Sequence, residues 1–261
     1  MQTQSQVNMS FEGKVVIVTG SSSGIGAAAA IEFTKEGASV VLVGRNETKL
    51  KSVRRECEKL GKKPLVIKAD VSNDDEAKGL IEKTIEHFGK LDVLVNNAGV
   101  SYNFDITSDG FMENFDHIMN LNLRAAVYLT HLVIPHLKET KGNIINMSSV
   151  AGVTVNGGSG GTISYCTSKA ALNHFSRCVA ERLAPYGIRV NIISPGPVRT
   201  DILENSRNFH LSWELFKKRT LLKRVSEPKE VADLILFLAG DKAKGVTGSD
   251  YVVDNGYLLK Q

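Results

Sequence analysis

Short runs of β-branched residues alternate with stretches of helical periodicity from Lys14 onward, and this alternation restricts the fold more than any other feature. The runs Val15–Val18, Val40–Val43, Leu65–Lys68 and Val93–Val95 are apolar at nearly every position, as strands buried on both faces require. Between them, Ile25–Glu36, Glu47–Leu60 and Asp75–Phe88 carry apolar residues at helical spacing, and Gly37, Gly61 and Gly89 follow as stops. Strand, helix and strand in succession build a parallel sheet from βαβ units. Later strands are legible at Asn143–Met147, Arg189–Ile193 and Tyr251–Val253, with helices over about Phe111–Leu137, Ser164–Leu183 and Pro228–Leu238. The reading is one doubly wound α/β domain over residues 11–261, a seven-stranded parallel sheet with helices on both faces.

Composition narrows the function classes. A chain of 261 residues, 42% of them hydrophobic, can bury a sizeable single core. Its net charge of +4 comes from 32 basic and 28 acidic side chains spread along the sequence, so no basic stripe marks a nucleic-acid partner. The first ten residues, MQTQSQVNMS, hold no apolar signal core and read as a mobile tail. No run of about eighteen apolar residues occurs, so no membrane span is expected. Cys57, Cys166 and Cys178 are odd in number and lack metal-ligand spacing, which points to a reducing, cytoplasmic setting and to no metal.

Directly after the first strand comes Thr19-Gly20-Ser21-Ser22-Ser23-Gly24-Ile25-Gly26, followed by an alanine-rich helix. Gly20 suits a tight turn, Gly24 a close backbone approach to a pyrophosphate at the helix start, and Gly26 close packing of helix on strand. A flexible Gly/Ser linker would not sit between a buried strand and an amphipathic helix. The loop therefore reads as the phosphate-binding turn of a Rossmann-type domain, with Ser22, Ser23 and Ile25 among its cofactor contacts. The second strand ends in Val43-Gly44-Arg45-Asn46. With no carboxylate there to repel a 2′-phosphate and the Arg45 guanidinium able to pair with one, NADP(H) is favoured over NAD(H).

The spacing T-G-x-x-x-G-x-G resembles that of the short-chain dehydrogenase/reductase family, and further motifs along the chain resemble it in the same order. Asp70-Val71 ends the third strand and Asn96-Asn97-Ala98-Gly99 the fourth. The resemblance implies adenine contacts for Asp70 and Val71, and a sheet-stabilising, ribose-lining role for Asn97, Ala98 and Gly99. Tyr165 and Lys169 stand four residues apart, hence on one face of a helix. That pair is a weak signal alone, but Ser148-Ser149 lies upstream at a strand end and Asn122 within a long helix. The family's Asn-Ser-Tyr-Lys set falls by motif position on Asn122, Ser149, Tyr165 and Lys169, with Ser148 the competitor for the serine role. Pro195-Gly196-Pro197-Val198-Arg199-Thr200 resembles the family segment that holds the nicotinamide carboxamide, which implies contacts from Pro195, Gly196, Val198 and Thr200.

The residue types fit the chemistry. A free phenol titrates near 10, so proton exchange at neutral pH calls for nearby positive charge, which Lys169 and an oxidised nicotinamide would supply. In reduction Tyr165 would give its proton to a carbonyl oxygen that Ser149 also binds; in oxidation the phenolate would take the alcohol proton. By resemblance, Lys169 also holds ribose hydroxyls and Asn122 supports a water-linked proton path. A substrate lid is expected over about 197–224, where Phe209, Trp213 and Phe216 either wall an apolar pocket or pack on the core. The interval from Ser149 to Tyr165 is longer than the family spacing, and the excess lies in the glycine-rich Asn156-Gly157-Gly158-Ser159-Gly160-Gly161.

The expected activity is hydride transfer between NADP(H) and the carbonyl or secondary alcohol of an apolar small molecule. Reduction of a 3-oxoacyl thioester is the competing reading, though Arg124, Arg177 and Arg182 are only scattered docking candidates for an acidic carrier. Steroid or isoprenoid alcohols are also open, and a non-catalytic NADP-binding regulator is disfavoured because Tyr165 and Lys169 are both present. The resemblance further implies a homo-oligomer, a tetramer or dimer.

Overall fold

A computed structural model describes residues 10–155, 162–202 and 212–260. The glycine-rich stretch Asn156–Gly161, Phe209 and part of the expected lid lie outside the described residues. Seven strands, β1 (Val15–Thr19), β2 (Ser39–Gly44), β3 (Leu65–Lys68), β4 (Val93–Asn96), β5 (Asn143–Met147), β6 (Arg189–Pro195) and β7 (Asp250–Val253), form one sheet. Their order is β3-β2-β1-β4-β5-β6-β7, and every pairing is parallel. The expected seven-stranded parallel sheet is met, with strand ends shifted by no more than two residues.

The helices are α1 (Gly24–Lys35), α2 (Glu47–Leu60), α3 (Asp74–Phe88), α4 (Phe111–Met119), α5 (Ala125–Thr140), α6 (Ile163–Leu183), α7 (Trp213–Lys218) and α8 (Pro228–Ala239). Because side chains alternate along a strand, β1 sends Val16 and Val18 into the core under α1 and α8, and Val15 and Ile17 into the core under α3 and α5. Both faces are covered, which explains the unbroken apolar run. Gly61 does not end α2 in a left-handed conformation; it sits there because a Cβ would come within 2.5 Å of the Thr34 carbonyl oxygen.

The helix expected over Phe111–Leu137 is interrupted. Asn120–Arg124 forms a widened π turn between α4 and α5, and the Ala125 amide donates to the Asn120 carbonyl five residues back. The Asn122 side chain reaches out of this turn to the loop after β4, so a tertiary contact coincides with the break that helical periodicity did not register.

The sheet order reverses between β1 and β4, and chains leaving those two strands diverge to opposite faces. Ligands in such sheets bind in the crevice this leaves at the carboxyl edge. Gly20, directly after β1, and Asn97, directly after β4, face each other there.

Candidate active site

Asn97 holds the two loops together. Its side-chain amide donates to the carbonyls of Thr19 (2.9 Å) and Gly20 (3.3 Å), while Thr19 Oγ1 accepts from the amides of Asn97 (2.9 Å) and Ala98 (3.1 Å). The packing leaves no room for a methyl group: a Cβ at Gly26 would meet the Gly20 carbonyl oxygen at 2.4 Å and the Asn97 amide at 2.5 Å. Gly24 adopts φ +56 with Thr200 against it. The Ser23 side chain does not cap α1, and no acidic residue stands in the first turn. The helix therefore presents bare N–H groups and its positive dipole end to the crevice, an arrangement suited to a phosphate.

A cleft of about 510 Å³ runs from this loop in two directions. One end is made by Gly44, Arg45, Asn46, Lys49 and Asp70; the other by Asn97, Ala98, Gly99, Tyr102 and Thr200. At the first end Arg45 pairs with Asp70 at 3.4 Å, and the Asn46 side chain caps α2 by accepting from the Lys49 amide. Burial works to raise the Asp70 carboxyl, but hydrogen bonds from the Ser72 hydroxyl and amide, with Arg45 beside them, hold it below the usual carboxylate range. Val71 lines the cleft floor and belongs to the core. Cradle, length and end groups fit a dinucleotide.

The second cavity, about 180 Å³, adjoins the cleft through Ile25, Ser101, Thr200 and Ile202. Ser149, Tyr165, Pro195, Gly196 and Val198 line it, along with Trp213 and Phe216, whose ring centres are 6.0 Å apart. No residue of α7 is buried, so these aromatics wall the cavity instead of packing into the core. Tyr257, from the segment after β7, completes the wall. No sequence motif points to it; Gly196 brings this segment in, since a Cβ there would meet Asp254 at 2.7 Å.

Tyr165 and Lys169 lie on successive turns of α6, with Lys169 Nζ 5.6 Å from the tyrosine ring centre. The tyrosine is partly exposed as a whole, but its hydroxyl end is enclosed and hydrogen-bonds to the Ser149 side chain. Burial pushes the phenol up to about 12 against the lowering effect of Ser149. Burial also brings Lys169 down to about 8, and its ammonium donates to the Met147 carbonyl at 2.8 Å. In this structure burial is the largest influence on the phenol, opposed by the Ser149 hydrogen bond, while the Lys169 ammonium is held by Met147. Ser149 Oγ accepts from the Ala151 amide at 3.1 Å and faces the cavity, whereas Ser148 Oγ is buried and donates to the Lys169 carbonyl. Asn122 lies under the lysine: it exchanges hydrogen bonds with the Val100 backbone (2.8 and 2.9 Å) and donates to Ser168 Oγ.

Ser149 and Tyr165 line the smaller cavity, Lys169 and Asn122 lie against Gly99 of the cleft wall, and every expected cofactor residue lines one cavity or, like Gly26 and Lys169, supports its wall. Sequence reading missed Lys49, Asp201, Ser101, Tyr102 and Tyr257 in these walls. Among the described residues no cluster of metal-ligating side chains occurs, and no helix is long and apolar enough to cross a membrane.

A family model described as enoyl-(acyl carrier protein) reductase matches residues 20–258. The chain is 36% identical over 257 residues to a 3-oxoacyl-[acyl-carrier-protein] reductase of Thermotoga maritima, covering 96% of this chain and 100% of that protein. It is 36% identical to a cyclopentanol dehydrogenase of Comamonas sp., covering 94% and 96% of the two chains. A crystal structure of a short chain dehydrogenase from Burkholderia cenocepacia in complex with NADP superposes with a TM-score of 0.88 at 30% identity, covering 95% and 99%.

Proposed function

Because the chain belongs to the short-chain dehydrogenase/reductase family, we propose that it is an NADP(H)-dependent oxidoreductase acting on the carbonyl or secondary alcohol of a small apolar molecule. The observation that carries this reading is the Tyr165 hydroxyl, hydrogen-bonded to Ser149 in a mainly apolar cavity that opens into a dinucleotide-sized cleft. Bound in that cleft, the nicotinamide supplies a hydride to a carbonyl carbon or takes one from an alcohol carbon. This chain's residues handle the proton. At neutral pH the phenol is protonated, the form needed to give a proton to the carbonyl oxygen in reduction. Ser149 Oγ orients that oxygen and stabilises charge on it, and the Lys169 ammonium stabilises the phenolate left behind. Asn122 fixes the loop after β4 beneath the lysine and supports proton supply to it.

Arg45 is the basis for NADP(H) over NAD(H): it stands at the end of β2, where the adenosine ribose is read, and the superposing Burkholderia protein binds NADP. The thioester alternative is the second reading: of its docking candidates, Arg124 is bidentate with Asp74 and Arg177 lies 3.8 Å from Asp250, both in exposed pairs, and Arg182 is exposed, but the three make no continuous basic surface along the sequence. The test is NADPH oxidation across a panel of cyclic and linear ketones by wild type and Tyr165→Phe. Loss of at least about a hundredfold in kcat with NADPH binding retained is expected. Equal inertness of both proteins on every ketone, with NADPH bound, overturns the reading.

A further inference from the structure

Lys49 and Asp201 lie 152 positions apart in sequence, yet Lys49 Nζ meets Asp201 Oδ2 at 2.5 Å, and both residues line the cofactor cleft. Asp201 is, with Asp70, one of two carboxylates in that wall. The cleft is built for a polyanion, with bare helix N–H groups at its centre and Arg45 at its end, and an unpaired Asp201 would repel phosphate. Lys49 neutralises it. The lysine sits in the first turn of α2, four residues beyond Arg45, with its amide capped by Asn46. Arg45, Asn46 and Lys49 thus make one edge of the cleft at the end of β2 and the start of α2.

We propose that Lys49 is a second specificity-determining residue for the 2′-phosphate of NADP(H), with Asp201 as its built-in competitor. This rests on the reading of the cleft as an NADP(H) site. The Lys49–Asp201 pair is partly exposed, with side chains 47% and 31% accessible, so it is weakly held. A phosphate group of about two negative charges with three acceptor oxygens outcompetes one carboxylate for the same ammonium. Binding of the phosphorylated cofactor therefore breaks the Lys49–Asp201 pair, while NAD(H) leaves it intact. Asp201 lowers NADP(H) affinity in proportion to its hold on Lys49.

Dissociation constants of NADPH and NADH, measured by cofactor fluorescence, and of 2′,5′-ADP and 5′-AMP, measured by calorimetry, test this without turnover. Lys49→Met is expected to weaken NADPH and 2′,5′-ADP by about tenfold and to leave NADH and 5′-AMP within about twofold. Lys49→Arg retains the preference. Asp201→Asn is expected to raise the NADPH-to-NADH affinity ratio by about two- to fivefold, and to do so less in the Lys49→Met background. Equal effects of Lys49→Met on both cofactors, or none on either, overturn the proposal while a wild-type NADPH preference leaves the cofactor reading standing. A wild type that binds 2′,5′-ADP no tighter than 5′-AMP overturns both.

Discussion

Lys169 Nζ stands 5.6 Å from the centre of the Tyr165 ring and is turned from it toward the Met147 carbonyl, so the ammonium and the phenol share one enclosed region of α6 without a direct bond. Enclosure disfavours the charged form of each, which sends the phenol up to about 12 and the lysine down to about 8. The fold keeps a charge where a hydrocarbon would be more stable.

Lys169→Met is accordingly expected to stabilise the protein at pH 7 while abolishing turnover. An unfolded lysine titrates near 10.5 and the folded one near 8. Between these values the unfolded chain binds more protons, so wild-type stability falls as pH drops from 10.5 to 8 and stays lowered beneath. The full difference is about 3 kcal/mol; loss of the donor to Met147 reduces the gain to about 1–2 kcal/mol. Denaturant unfolding at pH 7 and pH 10 checks this. The advantage of the variant should shrink at pH 10, and a variant less stable than wild type at pH 7 contradicts the argument.

Asp92 is the opposite case, a buried carboxylate fully partnered at the amino edge of the sheet. It accepts from the Val15 amide at 2.9 Å and pairs with Lys14 at 3.2 Å and Lys90 at 3.0 Å. Asp92→Ala leaves the β1 amide and two ammonium groups without their acceptor, and a loss of about 2–4 kcal/mol is expected. Since Asp92 lies far from Tyr165 along β4, ketone reduction below the melting temperature should be unaffected. A melting temperature within one degree of wild type would count against this account.

What could be read in the sequence followed from local rules. Val15–Val18 and Val40–Val43 are continuous apolar runs because both sheet faces are covered, and the glycine loop is legible because its three glycines answer three separate packing demands. The remainder depends on contacts between distant segments. Helical periodicity continues through Asn120–Arg124, and the tertiary bonds that accompany the π turn, from Asn122 to Val100 and Ser168 and from Arg124 to Asp74, are not written in it. Tyr257 reaches the wall of the smaller cavity because Asp254 packs on Gly196, and Asp201 reaches Lys49 from 152 residues away. The burial of the Tyr165 hydroxyl is of the same kind: sequence displays the neighbouring lysine but not the enclosure that raises the phenol.

Gly26→Ala tests the junction of the two loops. The new methyl would lie 2.4 Å from the Gly20 carbonyl oxygen and 2.5 Å from the Asn97 amide, both fixed by hydrogen bonds to neighbouring backbone or packed against it. Backbone must move, at about 1–3 kcal/mol, and the N–H groups at the start of α1 move with it. The expected result is NADPH binding weakened at least about tenfold, read by fluorescence titration, with a smaller effect on the melting temperature. Unchanged NADPH affinity would mean the loop tolerates the shift and does not cradle the pyrophosphate.

Arg45→Asp addresses the cofactor itself. The Arg45 side chain is 55% exposed and, among the described residues, pairs with Asp70 at 3.4 Å, so it can turn to a 2′-phosphate at little cost. An aspartate at this position would stand beside Asp70, present two carboxylates to the adenosine ribose, and favour a 2′-hydroxyl over a 2′-phosphate. NADPH affinity should fall by about ten- to a hundredfold while NADH affinity holds or improves. The ratio of the two dissociation constants, measured at low and high salt, is the decisive readout, because a charge effect at an exposed position shrinks as ionic strength rises. A ratio unchanged at both salt concentrations would show that the 2′-phosphate is read elsewhere along the cleft.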